Sequence, residues 1–128
     1  MSKLDLNVLE VNGIKYVRED SIENKPIEVD GMKAVLIRSR DAGVHFGYLK
    51  KEEFTQSGKV VVLINTRRVW YWDGASSLSQ MALEGVKKPD NCRFSVIVPE
   101  NEIVNVIETI NLTSTAIENL YKVRIWRQ

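Results

Sequence analysis

The residues whose types and spacing could do chemistry lie in one stretch, Arg67-Arg68-Val69-Trp70-Tyr71-Trp72-Asp73-Gly74-Ala75-Ser76-Ser77-Leu78-Ser79. Two guanidinium groups can donate paired hydrogen bonds to a phosphate or carboxylate. Indole planes can stack on a base, which contributes roughly 1 to 3 kcal/mol per base. Period-two spacing puts Arg68, Trp70 and Trp72 on one strand face and Arg67, Val69 and Tyr71 on the other. One face is then cationic and aromatic together, the pairing that nucleotide binders use. The competing reading is structural: indole rings in small sheets also pack cores, leaving both arginines to solvent. Two helix starts, at Ser76-Ser77 and at Thr113-Ser114-Thr115, present free backbone N–H groups where an anion could sit. As simple caps they need no ligand. Arg93 is a further cation that folding could bring to the same place.

Elsewhere the chemistry is sparse. His45 is the only histidine, which excludes histidine clusters for a metal and any two-histidine mechanism. It reads as a ligand contact or as a structural residue. Cys92 is the only cysteine, so no intrachain disulfide or cysteine-based zinc site is available, and a buried inert thiol is its simplest role. Gly43 and Gly47 flank His45, but neither standard phosphate-cradling glycine motif is present. The carboxylate pairs Glu52/Glu53 and Glu100/Glu102 sit in polar segments and read as solvated charge. No base, nucleophile or metal set can be assembled.

These residues must be positioned by a chain of 128 residues, which suits one domain with one sizeable core. A formal net charge of +1 argues against broad binding to DNA or RNA polymers and leaves room for a local basic pocket. No apolar run is long enough to span a bilayer, no export signal is apparent, and the single cysteine suits a reducing cytosol. The expected fold class is α+β: an antiparallel β-sheet with an N-terminal β-hairpin and two short helices. Residues 1–30 read as the hairpin and its connection, and 31–128 as a single α+β ligand-binding domain.

In detail, Val8 to Val17 is two β-prone runs around Asn12-Gly13, a type I′ hairpin signal, followed by a charged connection from Arg18 to Asp30. Lys33–Ser39 and Gly43–Lys50 should pair as strands, and a polar link over 51–58 leads to a central strand over Lys59–Ile64. The focal strand then runs into a helix near Ser76, with Ser77 and Gln80 at capping-box spacing and Gly85 at its end. Arg93 to Val98 reads as a strand stopped by Pro99, and Ile103 to Ile110 as another. A terminal helix with Thr115 and Glu118 as its capping box completes the chain. The apolar, basic end around Trp126 should be pinned to the body or to a partner subunit.

Ala42-Gly43-Val44-His45-Phe46-Gly47, the run from Arg67 to Ala82 and Glu84-Gly85-Val86 together resemble a family of small phage and prophage proteins that includes the first type of Thoeris anti-defence protein. The resemblance runs from about Lys33 to Trp126 and leaves out the leading hairpin. It implies a binding protein and not an enzyme: a homo-oligomer, dimer or hexamer, in the cytoplasm of the bacterial host. Such a protein sequesters a glyco-cyclic ADP-ribose signal made by TIR-domain enzymes, without degrading it, so that the effector stays inactive. For some members the resemblance extends to cyclic di- or trinucleotides at separate sites. No cofactor, metal or membrane is implied. On this reading Arg67, Arg68 and Arg93 meet phosphates, Trp70 or Trp72 stacks on adenine, and His45, Ser77 and Thr113 bond ribose or phosphate, near a subunit boundary. The alternative is a structural or protein-interaction module of a phage with no nucleotide ligand.

Overall fold

The computed structural model describes residues 8–11, 14–17 and 29–127. Strands β1 (Val8–Val11) and β2 (Ile14–Val17) pair antiparallel, with Val8 opposite Val17, as a two-stranded sheet of their own. The Asn12-Gly13 turn and most of the expected connection, 18–28, lie outside the described residues. The body follows in the order β3 (Lys33–Ser39), β4 (Gly43–Thr55), β5 (Gly58–Tyr71), α1 (Leu78–Glu84), a 3₁₀ turn (Pro89–Asn91), β6 (Arg93–Phe94), β7 (Val98–Asn111) and α2 (Ser114–Lys122). Its five strands form one antiparallel sheet, which with the two α-helices among the described residues gives the expected α+β class.

The sheet closes on itself. β3 pairs with β4 and β7, β4 also with β5, and β5 also with β7, so each of these four strands is bonded along both edges. A circuit from Lys59 through Val106, Ser39 and Gly43 returns to β5 beside Val69. That large stagger means strongly tilted strands, as closure of a small barrel requires. Where β7 leaves β5, β6 continues the ladder, with Val69 opposite Phe94 and Tyr71 opposite Arg93.

Alternation along the strands divides the core in two. Val35, Ile37, Val61, Leu63, Ile103 and Val106 form one buried cluster. Leu36, Phe46, Val69 and Phe94 form the other, with Met81 and Ala82 of α1 and Leu120 of α2. Helices cannot enter a four-stranded barrel, so the second cluster is the outer face and the first is the filled interior. On β5 the phase reverses partway. Val61 and Leu63 face inward, yet Arg67 and Val69 face the helices. The cause is a bulge: Ile64 pairs with Tyr48 and Arg67 with Phe46, which puts two β5 residues opposite Gly47 alone. Asn65 takes φ 50° there, and the Thr66 hydroxyl donates to the Phe46 carbonyl at 2.8 Å. A Cβ on Gly47 would meet the Ile64 carbonyl oxygen at 3.0 Å, so the bulge depends on a glycine.

Several boundaries differ from the sequence reading. The polar link over 51–58 is instead the paired, exposed end of β4 and β5, turned at Gln56-Ser57, with the Thr55 hydroxyl donating to the Gly58 carbonyl at 2.7 Å. β6 stops at Phe94, and Pro99 sits inside β7 as its second residue, a strand-start position that tolerates the missing N–H. Ser77 caps α1 as expected by accepting the Gln80 N–H. Thr113, not Thr115, caps α2 by accepting the Ala116 N–H. Thr113 is favoured because its hydroxyl can also donate to the Leu83 carbonyl at 2.8 Å, tying α2 to the end of α1.

Candidate functional site

Beyond the bulge, Thr66, Arg68 and Trp70 share the inward-facing side of β5. Register sets Ile37, His45 and Arg68 in one row across β3, β4 and β5. At the break between β6 and β7, His45 and Arg68 line an open groove of about 180 Å³. His45, Thr66, Arg68 and Trp70 form one wall, and Ser95, Val98 and Asn101 the other.

Each wall is fixed by backbone bonds. Ser95 N–H donates to the Arg68 carbonyl at 2.9 Å, and Arg68 N–H donates to the Ser95 hydroxyl oxygen at 2.7 Å. That hydroxyl in turn donates to the Val96 carbonyl, as the Thr66 hydroxyl does to Phe46. Both hydroxyl protons are therefore committed. His45 is buried, with Nε2 2.9 Å from the Ala42 carbonyl. Burial pushes its pKa below the ordinary histidine value; the Ala42 bond opposes this and the Arg68 charge adds to it. The imidazole is thus neutral at pH 7.

Arg68 is exposed, and among the described residues it makes no ion pair, nor do Arg93, Arg124 and Arg127. Trp70 is 52% exposed and meets the Trp126 ring edge-on at 5.5 Å. Arg93 lies over Trp126 at 5.1 Å and over Tyr71 at 5.9 Å, distances at which a guanidinium is attracted to a ring face. The C-terminal segment is pinned as expected: Ile125 bridges to Phe94, and Trp126 N–H donates to the Phe94 carbonyl at 3.0 Å. Arg93 thus sits against two rings at the edge of the groove that Arg68 and Trp70 line.

Four of the residues singled out from sequence lie away from the groove. Arg67 points to the outer face, 1% exposed. Its Nε donates to the Ser95 carbonyl at 2.7 Å, and Nη1 to the Val123 and Leu120 carbonyls at 2.6 and 3.1 Å. Among the described residues no carboxylate pairs with it; the carbonyls ending α2, at the negative end of that helix, and the Phe94 ring at 5.3 Å hold the charge. Burial lowers its pKa to about 10, so it remains a cation at pH 7. Trp72 is half-buried against the outer cluster. Ser77 and Thr113 are spent as helix caps, so neither helix start opens into the groove. His45, Arg68 and Trp70 are brought together there, with Arg93 on the adjoining rim.

Thr66, Ser95, Val98 and Asn101 were missed. Thr66 carried a signal, since it shares Arg68's face at period two. The other three arrive only through the pairing of β5 with β6 and β7. Cys92 is 5% exposed, its thiol pKa raised mainly by burial. Among the described residues no group of three or more His, Cys, Asp or Glu is gathered as a metal site, and no helix is long and apolar enough to cross a membrane.

A closed antiparallel sheet, helices over one face and a groove at its end lined by Arg68 and Trp70 define a small α+β protein. The chain belongs to the family described as Domain of unknown function (DUF6948), which matches residues 32–120. That span includes every groove residue; it leaves out the β1–β2 hairpin and Trp126. No curated protein and no solved structure matches the chain.

Proposed function

We propose that this protein binds and sequesters a cyclic ADP-ribose isomer of the glyco type, a TIR-enzyme immune signal, without converting it, as a phage or prophage anti-defence protein in the host cytoplasm. The observation that carries this reading is the pairing of an unpartnered guanidinium, Arg68, with the half-exposed Trp70 ring in one groove. A diphosphate taken out of water needs charge-assisted hydrogen bonds to offset its desolvation, and Arg68 supplies them with no carboxylate competing. Trp70 offers the adenine a stacking face. With both groove hydroxyls donating to backbone carbonyls, the groove offers the bound molecule no activated nucleophile.

Size argues for a second copy of the chain. Small-molecule sites run from roughly 300 Å³ upward, and this groove is about 180 Å³. One chain then supplies part of the site, and a neighbour in a homo-oligomer, dimer or hexamer, supplies the rest. Tyr71, Val96 and Ile125, exposed near the rim, give that neighbour apolar surface to cover. The same patch favours the second reading, a protein-interaction module without a nucleotide. The two separate when the purified protein is incubated with products of an activated TIR enzyme, freed of unbound material, heat-denatured and its released ligand analysed by mass spectrometry. Release of an intact cyclic ADP-ribose isomer is expected. Altered ligand would refute sequestration, and no nucleotide from TIR products or from cyclic di- and trinucleotides would favour the interaction module.

A further inference from the structure

The two ring nitrogens of His45 are not equivalent. Nε2 lies 2.9 Å from the Ala42 carbonyl, and a carbonyl only accepts, so Nε2 carries the proton. Ala42 is itself anchored: its N–H donates to the Ser39 hydroxyl oxygen at 3.0 Å, and that hydroxyl donates to the Val104 carbonyl at 2.7 Å. The tautomer is therefore built into the β3–β4 turn. Nδ1 makes no hydrogen bond among the described residues, and the ring, 1% exposed, lines the groove. The groups around the ring leave it no reason to take a second proton. β3 presents apolar Ile37, β5 presents Thr66 and the Arg68 cation, β7 presents Asn101, and among the described residues no carboxylate lines the groove.

We propose that His45 Nδ1 is a fixed hydrogen-bond acceptor on the groove floor that selects a ligand carrying a hydroxyl beside the anionic group held by Arg68. The assignment rests on the nucleotide reading above and deepens it. A phosphodiester or pyrophosphate oxygen has no proton to give at neutral pH and would face a lone pair, whereas a ribose hydroxyl donates to it. His45 thus reads sugar, and Arg68 reads phosphate.

His45 is the sole histidine, so a long-range proton–nitrogen spectrum of ¹⁵N-labelled full-length protein reports its tautomer without ambiguity. The expected spectrum at neutral pH has Nε2 protonated and Nδ1 bare. Affinity measured by calorimetry at about pH 7.5 should then drop by about tenfold from cyclic ADP-ribose isomers to their deoxyribose analogues, the loss of roughly one buried hydrogen bond. Equal affinity for the two ligands overturns the proposal and leaves the nucleotide reading standing, because contacts to phosphate and base do not register the missing hydroxyl. A protonated Nδ1 with binding intact likewise overturns it. No binding of either ligand, with the expected tautomer in the spectrum, overturns the nucleotide reading and with it the ribose assignment.

Discussion

Replacing Arg67 with alanine should cost about 3 kcal/mol of folding stability, set by the contacts of its side chain. The guanidinium satisfies three carbonyls. Leu120 keeps a second donor, the Val123 N–H at 3.4 Å, so two acceptors, buried on Val123 and part-buried on Ser95, lose theirs. At about 1 to 3 kcal/mol each that is a loss of about 4. The emptied space beside Phe94 adds about 2 more, at the low end for truncating a long buried side chain. Against these stands the relief of no longer burying a cation without a carboxylate. That burial holds the folded-state pKa at about 10, and at about 1.4 kcal/mol per pH unit the relief is about 3. The balance is about 3 kcal/mol lost, a fall of roughly 10 °C or more in Tm for a chain of this size. Urea denaturation followed by tryptophan fluorescence measures it. A loss below about 1 kcal/mol, within the range of ordinary surface substitutions, would refute the view that this arginine clamps α2 and Ser95 to β5. The same group has a signature at alkaline pH. Between about pH 10 and the ordinary arginine value, the folded state releases the proton before the unfolded state does, so its contribution makes stability rise with pH. Arg67→Ala should abolish that rise.

The neighbouring arginine should behave in the opposite way. Arg68→Ala should leave stability within about 0.5 kcal/mol and weaken cyclic ADP-ribose binding by at least about tenfold, the worth of a charge-assisted hydrogen bond; calorimetry beside a urea titration separates the two effects. Gly47→Ala should cost about 1 to 3 kcal/mol by urea denaturation, because the new methyl meets the backbone of Ile64 and Thr66 at 3.0 to 3.1 Å and neither can retreat without opening the bulge. Thr113→Ala should cost about 1 to 2 kcal/mol, since both its cap bond and its bond to Leu83 are lost; Thr113→Ser should recover most of this in the same measurement.

Much of the fold was legible because local rules set it. The β3–β4 hairpin, the Ser77 cap, the Gly85 stop and the burial of Cys92 each follow from a few adjacent residues. The opposite facing of Arg67 and Arg68 was legible too, since alternation alone demands it. Which of the two faces would be interior was not. Extending period two from Val61 and Leu63 would put Arg67 inside the barrel and Arg68 under the helices. The bulge at Gly47 inverts this, and it depends on Thr66 reaching the Phe46 carbonyl twenty positions back. An arginine bound only by carbonyls from Ser95, Leu120 and Val123 leaves no mark in its own neighbourhood either, because its partners lie 28 to 56 residues away. The same holds for the groove's second wall. Ser95 and Asn101 reach it through strand pairing, and nothing in their flanking residues announces a site.

If a neighbouring chain completes the groove, ligand binding and self-association must be linked, and this is the consequence most open to experiment. A ligand that contacts two chains at once binds the assembled form more tightly than the separated one, and by thermodynamic reciprocity it stabilises the assembly by the same factor. Dilution should therefore weaken the apparent affinity for cyclic ADP-ribose isomers, and saturating ligand should shift the association midpoint to lower protein concentration. Light scattering and sedimentation across a dilution series, with and without ligand, measure both sides of the linkage. Arg68→Ala should remove the ligand's effect on assembly while leaving ligand-free assembly in place, because Arg68 faces the groove and not the apolar rim of Tyr71, Val96 and Ile125. A monomer that binds with undiminished affinity at every concentration would refute the shared site, and would require an open groove of about 180 Å³ to hold the whole nucleotide. A single stacked ring and one guanidinium offer too few contacts to hold a whole nucleotide tightly.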